Sequence, residues 1–270
     1  MSFISVDKDR LARDLWPGGI GRPSNDVDDM STLPKWRVVP AEYSELCQWL
    51  SVDSSDVGNG VKTFINPDVG TEENSLHELT LRVQGFVVDA NLSALGNWSG
   101  DVQGAPKAVQ TLRLAGGGND AAFAPQRNTL ENIRELVLKQ LCKPTGGGNT
   151  YGTDIVLKRR VFEKGTTPKS VLSRQDDPFG RAAKIDSMWR VTHRITAGVQ
   201  GSGGVLHRST PLVIRRGDFV DVAICVQVHS MRAHRQRKTE VVFCPIEVVR
   251  LYTAKEVKVS CTVCCKLRTI

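Results

Sequence analysis

The residues best suited to chemistry in this chain form a basic cluster between two strand-like segments. The cluster consists of Arg232, His234, Arg235, Arg237 and Lys238. The flanking segments, 217–228 and 240–252, are rich in Val and Ile, and β-branched residues favour strands. Cationic residues on a β-hairpin attract phosphate groups without reading base sequence. The pattern therefore predicts an antiparallel hairpin over about 217–229 and 240–252, with an exposed basic loop at 232–238.

Further basic residues precede this hairpin. The stretch 190–250 contains ten Arg and Lys residues and only four Asp and Glu residues. Arg190 and Arg194 alternate with apolar residues in a predicted strand at 187–196. We expect these two arginines to extend the cationic track along one face of that strand. A second basic run, Lys158, Arg159 and Arg160, lies in another predicted strand at 153–162 and is the next candidate for contacting an anion.

The composition indicates a globular protein with a basic surface. The chain has 270 residues, of which 40% are hydrophobic and 24% charged, values that are typical of domains with a packed core. The formal net charge is +7, which favours a polyanionic partner or an anionic surface.

The cysteine pattern and the first residues predict an intracellular location, in cytoplasm or nucleus. The seven cysteines are an odd number, and no apolar segment typical of a secretory signal follows Met1. No apolar run has the length of a membrane span, so no membrane partner is expected. The thiols are therefore expected to be free. Cys261 and Cys264 have the Cys-x-x-Cys spacing, but half of a zinc ligand set is missing, so no metal and no cofactor are predicted.

Catalytic motifs are absent from the sequence. There is no Gly-x-Ser-x-Gly turn, no His-Glu-x-x-His pair and no Asp-x-Asp calcium loop, and these motifs carry much of the recognisable hydrolytic and metal chemistry. The sequence therefore predicts that the protein is not an enzyme.

The pattern along the chain predicts a mainly β fold, of the β-rich α+β kind, with one secure helix. Asn128, Thr129 and Glu131 resemble a capping box, and Pro144 with three following glycines ends the helix, predicted at about 129–142. Residues 1–35 are rich in Gly and Pro and are expected to form a flexible arm, or an arm that docks on a neighbouring subunit through Trp16. A single β-rich domain is expected over 36–260, followed by a Cys-containing tail at 261–270.

The hairpin resembles the last two strands of an oligonucleotide/oligosaccharide-binding (OB) barrel. That resemblance covers about forty residues and rests on a Gly-Asp turn, a long strand, a basic loop and a second strand ending in Val-Val-Arg-Leu. It implies that the loop between strands four and five contacts single strands. Such barrels stack bases on aromatic side chains, for which Phe162, Phe179, Trp189 and Phe219 are the candidates. Pro245 is expected at an edge or a bulge, because it has no N–H for a ladder.

Two functions remain open at this point. The first is a nucleic-acid-binding protein for single-stranded DNA or RNA with weak sequence specificity. The second is a viral coat-type subunit with an antiparallel jelly roll, which would place the protein in a virion as a homo-oligomer. An antiparallel barrel or sandwich fits both.

Overall fold

The computed structural model describes residues 1–23, 29–53, 62–66, 69, 77–143, 152–164, 170–233 and 236–257. The strands are β1 Ser2–Ile4, β2 Val38–Val39, β3 Leu50–Asp53, β4 Lys62–Ile65, β5 His77–Glu78, β6 Thr80–Asn91, β7 Val109–Ala115, β8 Ile155–Arg160, β9 Glu163–Lys164, β10 Trp189–Arg190, β11 Thr196–Gln200, β12 Leu206–Ser209, β13 Phe219–Ala233 and β14 Gln236–Tyr252. The helices are α1 Tyr43–Trp49 and α2 Asp120–Gln140, and short 3₁₀ turns connect several elements.

Most of the strands belong to one large sheet, which confirms the mainly β class. Its order is β12-β11-β14-β13-β6-β1-β2, and β7 pairs with both β6 and β8. Within it, β8, β7, β6, β13 and β14 follow one another as a five-strand, partly open barrel. No hydrogen-bonded ladder joins β8 to β14 among the described residues. Instead, Arg159 Nη1 on β8 donates to the Pro245 carbonyl oxygen of β14 at 3.1 Å. This OB-like arrangement is what positions the candidate site.

The five barrel strands pair antiparallel, as expected, and the sheet is mixed where further strands join them. Strand β1 runs parallel to β2 and β6, and β11 runs parallel to β14. The described strands do not divide into the two four-stranded sheets of a jelly roll, the fold that the coat-type alternative assumed.

The barrel strands show the alternation expected of strands with one buried face. On β8, Ile155, Leu157 and Arg159 are buried, and the residues between them are partly exposed. On β7, Leu112 and Leu114 are buried in the same core. Because side chains alternate across a strand, the intervening residues of both strands share the outer face of the barrel.

The hairpin is confirmed, but its loop is much shorter than predicted. Strands β13 and β14 pair antiparallel from Phe219 with Tyr252 to Ala233 with Gln236. The segment predicted as an exposed loop, 232–238, therefore mostly continues the two strands. Two register shifts interrupt the ladder, and the second places Ile224 opposite Pro245 and Ala223 opposite Glu247. Pro245 thus lies beside a bulge, as predicted.

Helix α2 is confirmed but begins earlier than the predicted range of about 129–142. It starts at Asp120, and Pro125 lies inside it. The Gly-rich run before it is a tight turn, in which Gly117 and Gly118 have φ values of +58° and +86°. The capping pattern at Asn128 is therefore inside the helix, because burial of Ala122 and Phe123 in the core outweighs the local start signal.

The N-terminal residues are part of the main core, whereas a flexible arm was predicted for residues 1–35. Trp16 is 2% exposed. Its ring contacts Phe219, Phe86 and Phe123 edge-on, with centroid distances of 4.9, 5.8 and 6.4 Å. The Gly and Pro residues of this region form turns that fit this packing. At Gly21, for example, a Cβ atom would overlap the Arg13 carbonyl oxygen. Trp16 therefore anchors its own chain.

A second, smaller core lies beside the barrel. It contains Phe162, Ile185 and Val191, and it packs the loop between β6 and β7 against the segment after β8. Strands β9 and β10 pair with each other next to this core. The predicted strand at 187–196 is wrong, because only Trp189 and Arg190 of that range pair as β10 and the next strand begins at Thr196.

Candidate nucleic-acid interface

Three basic residues lie in the paired strands at the end of the hairpin. Arg232 is the register partner of Arg237, and Met231 is the partner of Lys238. The four pairs from Ser230 with Thr239 to Ala233 with Gln236 contain no acidic residue. In general, like charges at directly opposed positions destabilise a ladder. His234 and Arg235, also predicted as site residues, lie outside the described residues.

The basic run of β8 lies beside the middle of this hairpin. Arg159 is 6% exposed and is held by its hydrogen bond to the Pro245 carbonyl oxygen. Among the described residues it forms no ion pair with a carboxylate. Lys158 and Arg160 lie on the outer face, opposite Thr111 and Val109 of β7. The structure therefore places β8 beside β14, on the strand that leads to the basic end of the hairpin.

His229, on β13, lies within electrostatic reach of Arg160 at the end of β8. The pKa of His229 is lowered to about 4, chiefly by burial and also by the positive charge of Arg160, while Glu163 acts in the opposite direction. Its Nε2 atom is buried without a hydrogen-bond partner. His229 is the register partner of Glu240. The imidazole is therefore neutral at pH 7 and leaves the nearby arginines as the charged groups.

Two buried thiols occupy opposed positions in the β13–β14 hairpin, between His229 and the open end of the hairpin. Cys225 and Cys244 are register partners, and the Cys244 Sγ atom donates to Gln227 Oε1 at 3.2 Å. The pKa of Cys225 is lowered to about 7, chiefly by the hydrogen bond with Cys244 and also by the charge of Arg159. The hydrogen bond with Cys225, together with burial, raises the pKa of Cys244. Arg159 therefore has two effects: its hydrogen bond joins β8 to β14, and its charge lowers the pKa of Cys225 in the hairpin.

Arg190 and Arg194 do not continue the cationic track. Arg190 Nε donates to the Asp186 carbonyl oxygen at 2.8 Å and lies 3.4 Å from the Asp186 carboxylate. Arg194 Nη2 donates to Asp176 Oδ1 at 3.0 Å. The prediction that both extend along one strand face is wrong, because only Arg190 lies in a strand. Both charges are also largely balanced within the chain.

The aromatic candidates divide into packing residues and one exposed ring. Phe162 and Phe219 are buried, and Trp189 packs against the second core. Phe179 is 78% exposed, and the Arg181 guanidinium carbon lies 5.7 Å from its ring centroid. Arg181 was not predicted as a site residue. The signal that identifies it is the Phe-Gly-Arg sequence after an Asp-Asp-Pro turn.

Neither a metal cluster nor a membrane-spanning helix appears in the described part of the chain. No three His, Cys, Asp or Glu side chains there come together as metal ligands do. No described helix is both long and apolar enough to cross a membrane. Cys261, Cys264 and Cys265 lie outside the described residues.

Comparisons with known proteins identify no family. No protein-family model matches the chain, and no curated protein matches it. The structure is similar to that of the single-stranded DNA-binding protein from bacteriophage Enc34, with a TM-score of 0.30 and 11% identity over 68% of this chain and 87% of that chain. A C-terminal truncation of the phage protein gives a TM-score of 0.30 and 12% identity over 67% and 91% of the two chains. Its complex with single-stranded DNA gives 0.30 and 11% over 63% and 85%.

Proposed function

We propose that this protein binds single-stranded nucleic acid with weak sequence specificity, through the end of the β13–β14 hairpin and the basic end of β8. The observation that carries the proposal is the opposition of Arg232 and Arg237 in a ladder whose terminal pairs contain no carboxylate. Such an arrangement is unfavourable on its own, and a row of phosphates removes the repulsion. The proposal includes no catalytic step.

The position of these residues on the barrel supports the proposal. In OB-type barrels, oligonucleotides bind across strands two and three and the loops between strands one and two and between strands four and five. The corresponding parts of this chain are the outer face of β7 and β8, the loop 92–108 and the hairpin end. Lys158 and Arg160 lie on that outer face, so phosphates at the hairpin end and along β8 belong to one continuous path.

The chemistry of this path favours backbone contact over base reading. Its cationic groups are Arg and Lys, which neutralise phosphates and release counterions whatever the base. Weak specificity and strong salt dependence follow from that mode of binding.

The test compares two variants that lose the same charge. One is Arg232→Ala/Arg237→Ala/Lys238→Ala. The control, Lys8→Ala/Arg10→Ala/Lys35→Ala, removes three exposed basic residues of the N-terminal region. Binding of a single-stranded deoxythymidine oligonucleotide is measured by anisotropy across a salt series.

We expect the hairpin variant to bind more weakly, with a slope of log affinity against log salt that is shallower by roughly 0.7 per lost phosphate contact. The control variant should retain most of the affinity. Equal losses in both variants would show a general charge effect and reject this site. A wild-type protein without salt-dependent binding would reject the function itself.

A further inference from the structure

Phe179 is an aromatic residue exposed to solvent on a hydrogen-bonded turn. Its side chain is 78% exposed, although burial of a Phe ring would stabilise the fold by roughly 1.5–3 kcal/mol. The turn is closed by a hydrogen bond from the Gly180 N–H to the Asp177 carbonyl oxygen at 3.0 Å. Gly180 has a φ of +61°, a conformation that favours glycine.

The buried Asp177 carboxylate holds this turn. It accepts from the backbone N–H groups of Arg181, Ala182 and Ala183 at 2.8, 2.8 and 3.2 Å. Three backbone donors on one buried carboxylate orient the chain on the C-terminal side of Phe179. Ile185, six residues after Phe179, is buried in the second core. The ring is therefore presented from a supported backbone, which keeps the entropy cost of contacting a ligand low.

Arg181 completes the surface around the ring. Its guanidinium lies over Phe179 with its carbon 5.7 Å from the ring centroid, and it forms no ion pair with any described residue. Its side chain passes Gly100, where an added Cβ would lie 3.1 Å from Nη1. The aromatic face and the free cation are thus held beside the loop that joins β6 to β7.

The second core connects this surface to the basic end of β8. Val161 and Phe162 directly follow Arg160 and pack in the same core as Ala182 and Ile185. Trp98 of the β6–β7 loop packs edge-on against Phe162, with a centroid distance of 4.9 Å. The Phe179 turn is therefore a fixed extension of the candidate interface, outside the barrel strands.

We propose that Phe179 is a stacking site for one unpaired base of the bound strand, with Arg181 contacting the adjacent phosphate. The inference rests on the proposed function and adds a base contact to a surface otherwise made for phosphates. Base–aromatic stacking tolerates any base and requires an unpaired one. Phe179 therefore supplies a preference for single strands over duplex.

The test uses the full chain and compares Phe179→Ala with Leu212→Ala, which removes another strongly exposed apolar side chain. Three probes of equal length are used: a single-stranded deoxythymidine oligonucleotide, its abasic counterpart and a duplex. We expect Phe179→Ala to bind the single strand roughly tenfold more weakly, with an unchanged salt slope. The abasic strand and the duplex should bind the variant and the wild type equally. Phe179→Trp should retain affinity and show fluorescence quenching by the bases.

The outcomes separate the two proposals. If wild type binds the single strand with salt dependence and Phe179→Ala binds it equally well, the stacking site is rejected and the proposed function stands. An equal loss for the abasic strand would also reject stacking, because no base is present there to lose contact. If wild type binds none of the probes, both proposals fail.

Discussion

The side chain of Gln126 on α2 hydrogen-bonds to both backbone groups of Gln84 on β6. Its Oε1 atom accepts from the Gln84 N–H at 2.6 Å, and its Nε2 atom donates to the Gln84 carbonyl oxygen at 3.3 Å. On this edge of β6, strand β1 pairs only as far as Arg82 and β7 begins pairing at Phe86. The Gln126 amide therefore takes the place of a missing strand and attaches α2 to the barrel.

Replacement of Gln126 by Ala should destabilise the fold by about 3 kcal/mol, because two buried backbone groups lose their partners. The free energy of unfolding is measured by urea denaturation. Gln140→Ala is the matched control, since Gln140 lies on the exposed side of the same helix and should change stability by less than about 0.5 kcal/mol. Similar effects of the two substitutions would show that the Gln126 hydrogen bonds contribute little.

Protonation of His229 should destabilise the protein in acid. Because burial lowers its folded-state pKa to about 4 from about 6.5 in the unfolded chain, the unfolded state binds more protons between these values. The free energy of unfolding is therefore not reduced by this group above pH 6.5, and it falls as the pH falls toward 4. Partial exposure of the ring limits the loss to about 2 kcal/mol.

Thermal unfolding between pH 7 and 4 measures this dependence for wild type and His229→Gln. The variant should show a shallower decline in the melting temperature over that range. His207→Gln, which removes an exposed histidine, should leave the wild-type decline in place. Parallel curves for wild type and His229→Gln would mean that other groups dominate the acid response.

Replacement of Arg159 by Met should make the thiol of Cys225 less reactive. The positive charge of Arg159 contributes to the lowered pKa of Cys225, and the thiolate is the nucleophile. Without that charge, alkylation of Cys225 at pH 7 should slow by about threefold. Peptide mass spectrometry after timed iodoacetamide treatment follows Cys225 separately from the other cysteines.

Arg190→Met serves as the comparison for Arg159→Met, because the Arg190 charge is balanced by Asp186. It should leave the alkylation rate of Cys225 unchanged. A faster rate in Arg159→Met would instead show that loss of the hydrogen bond to Pro245 opens the hairpin, since exposure of the thiol then outweighs its higher pKa.

The sequence alone determined the features that depend on neighbouring residues. The β-branched runs predicted the two arms of the hairpin, because strand propensity is expressed locally. Pro245 was correctly expected at an irregularity, because its missing N–H excludes it from a regular ladder. The helix predicted at about 129–142 likewise matches the C-terminal half of α2, because the signals that end a helix are local.

Only the tertiary structure decided which residues meet. It joined Arg159 to Pro245 across 86 residues, balanced Arg190 and Arg194 with carboxylates, and buried Trp16 in a core that local Gly and Pro content did not reveal. It also extended α2 back to Asp120, because burial of Phe123 compensates for an interior proline. These outcomes depend on long-range contacts, whose energies are set by burial and partner geometry and leave no periodic signal in a local stretch of chain.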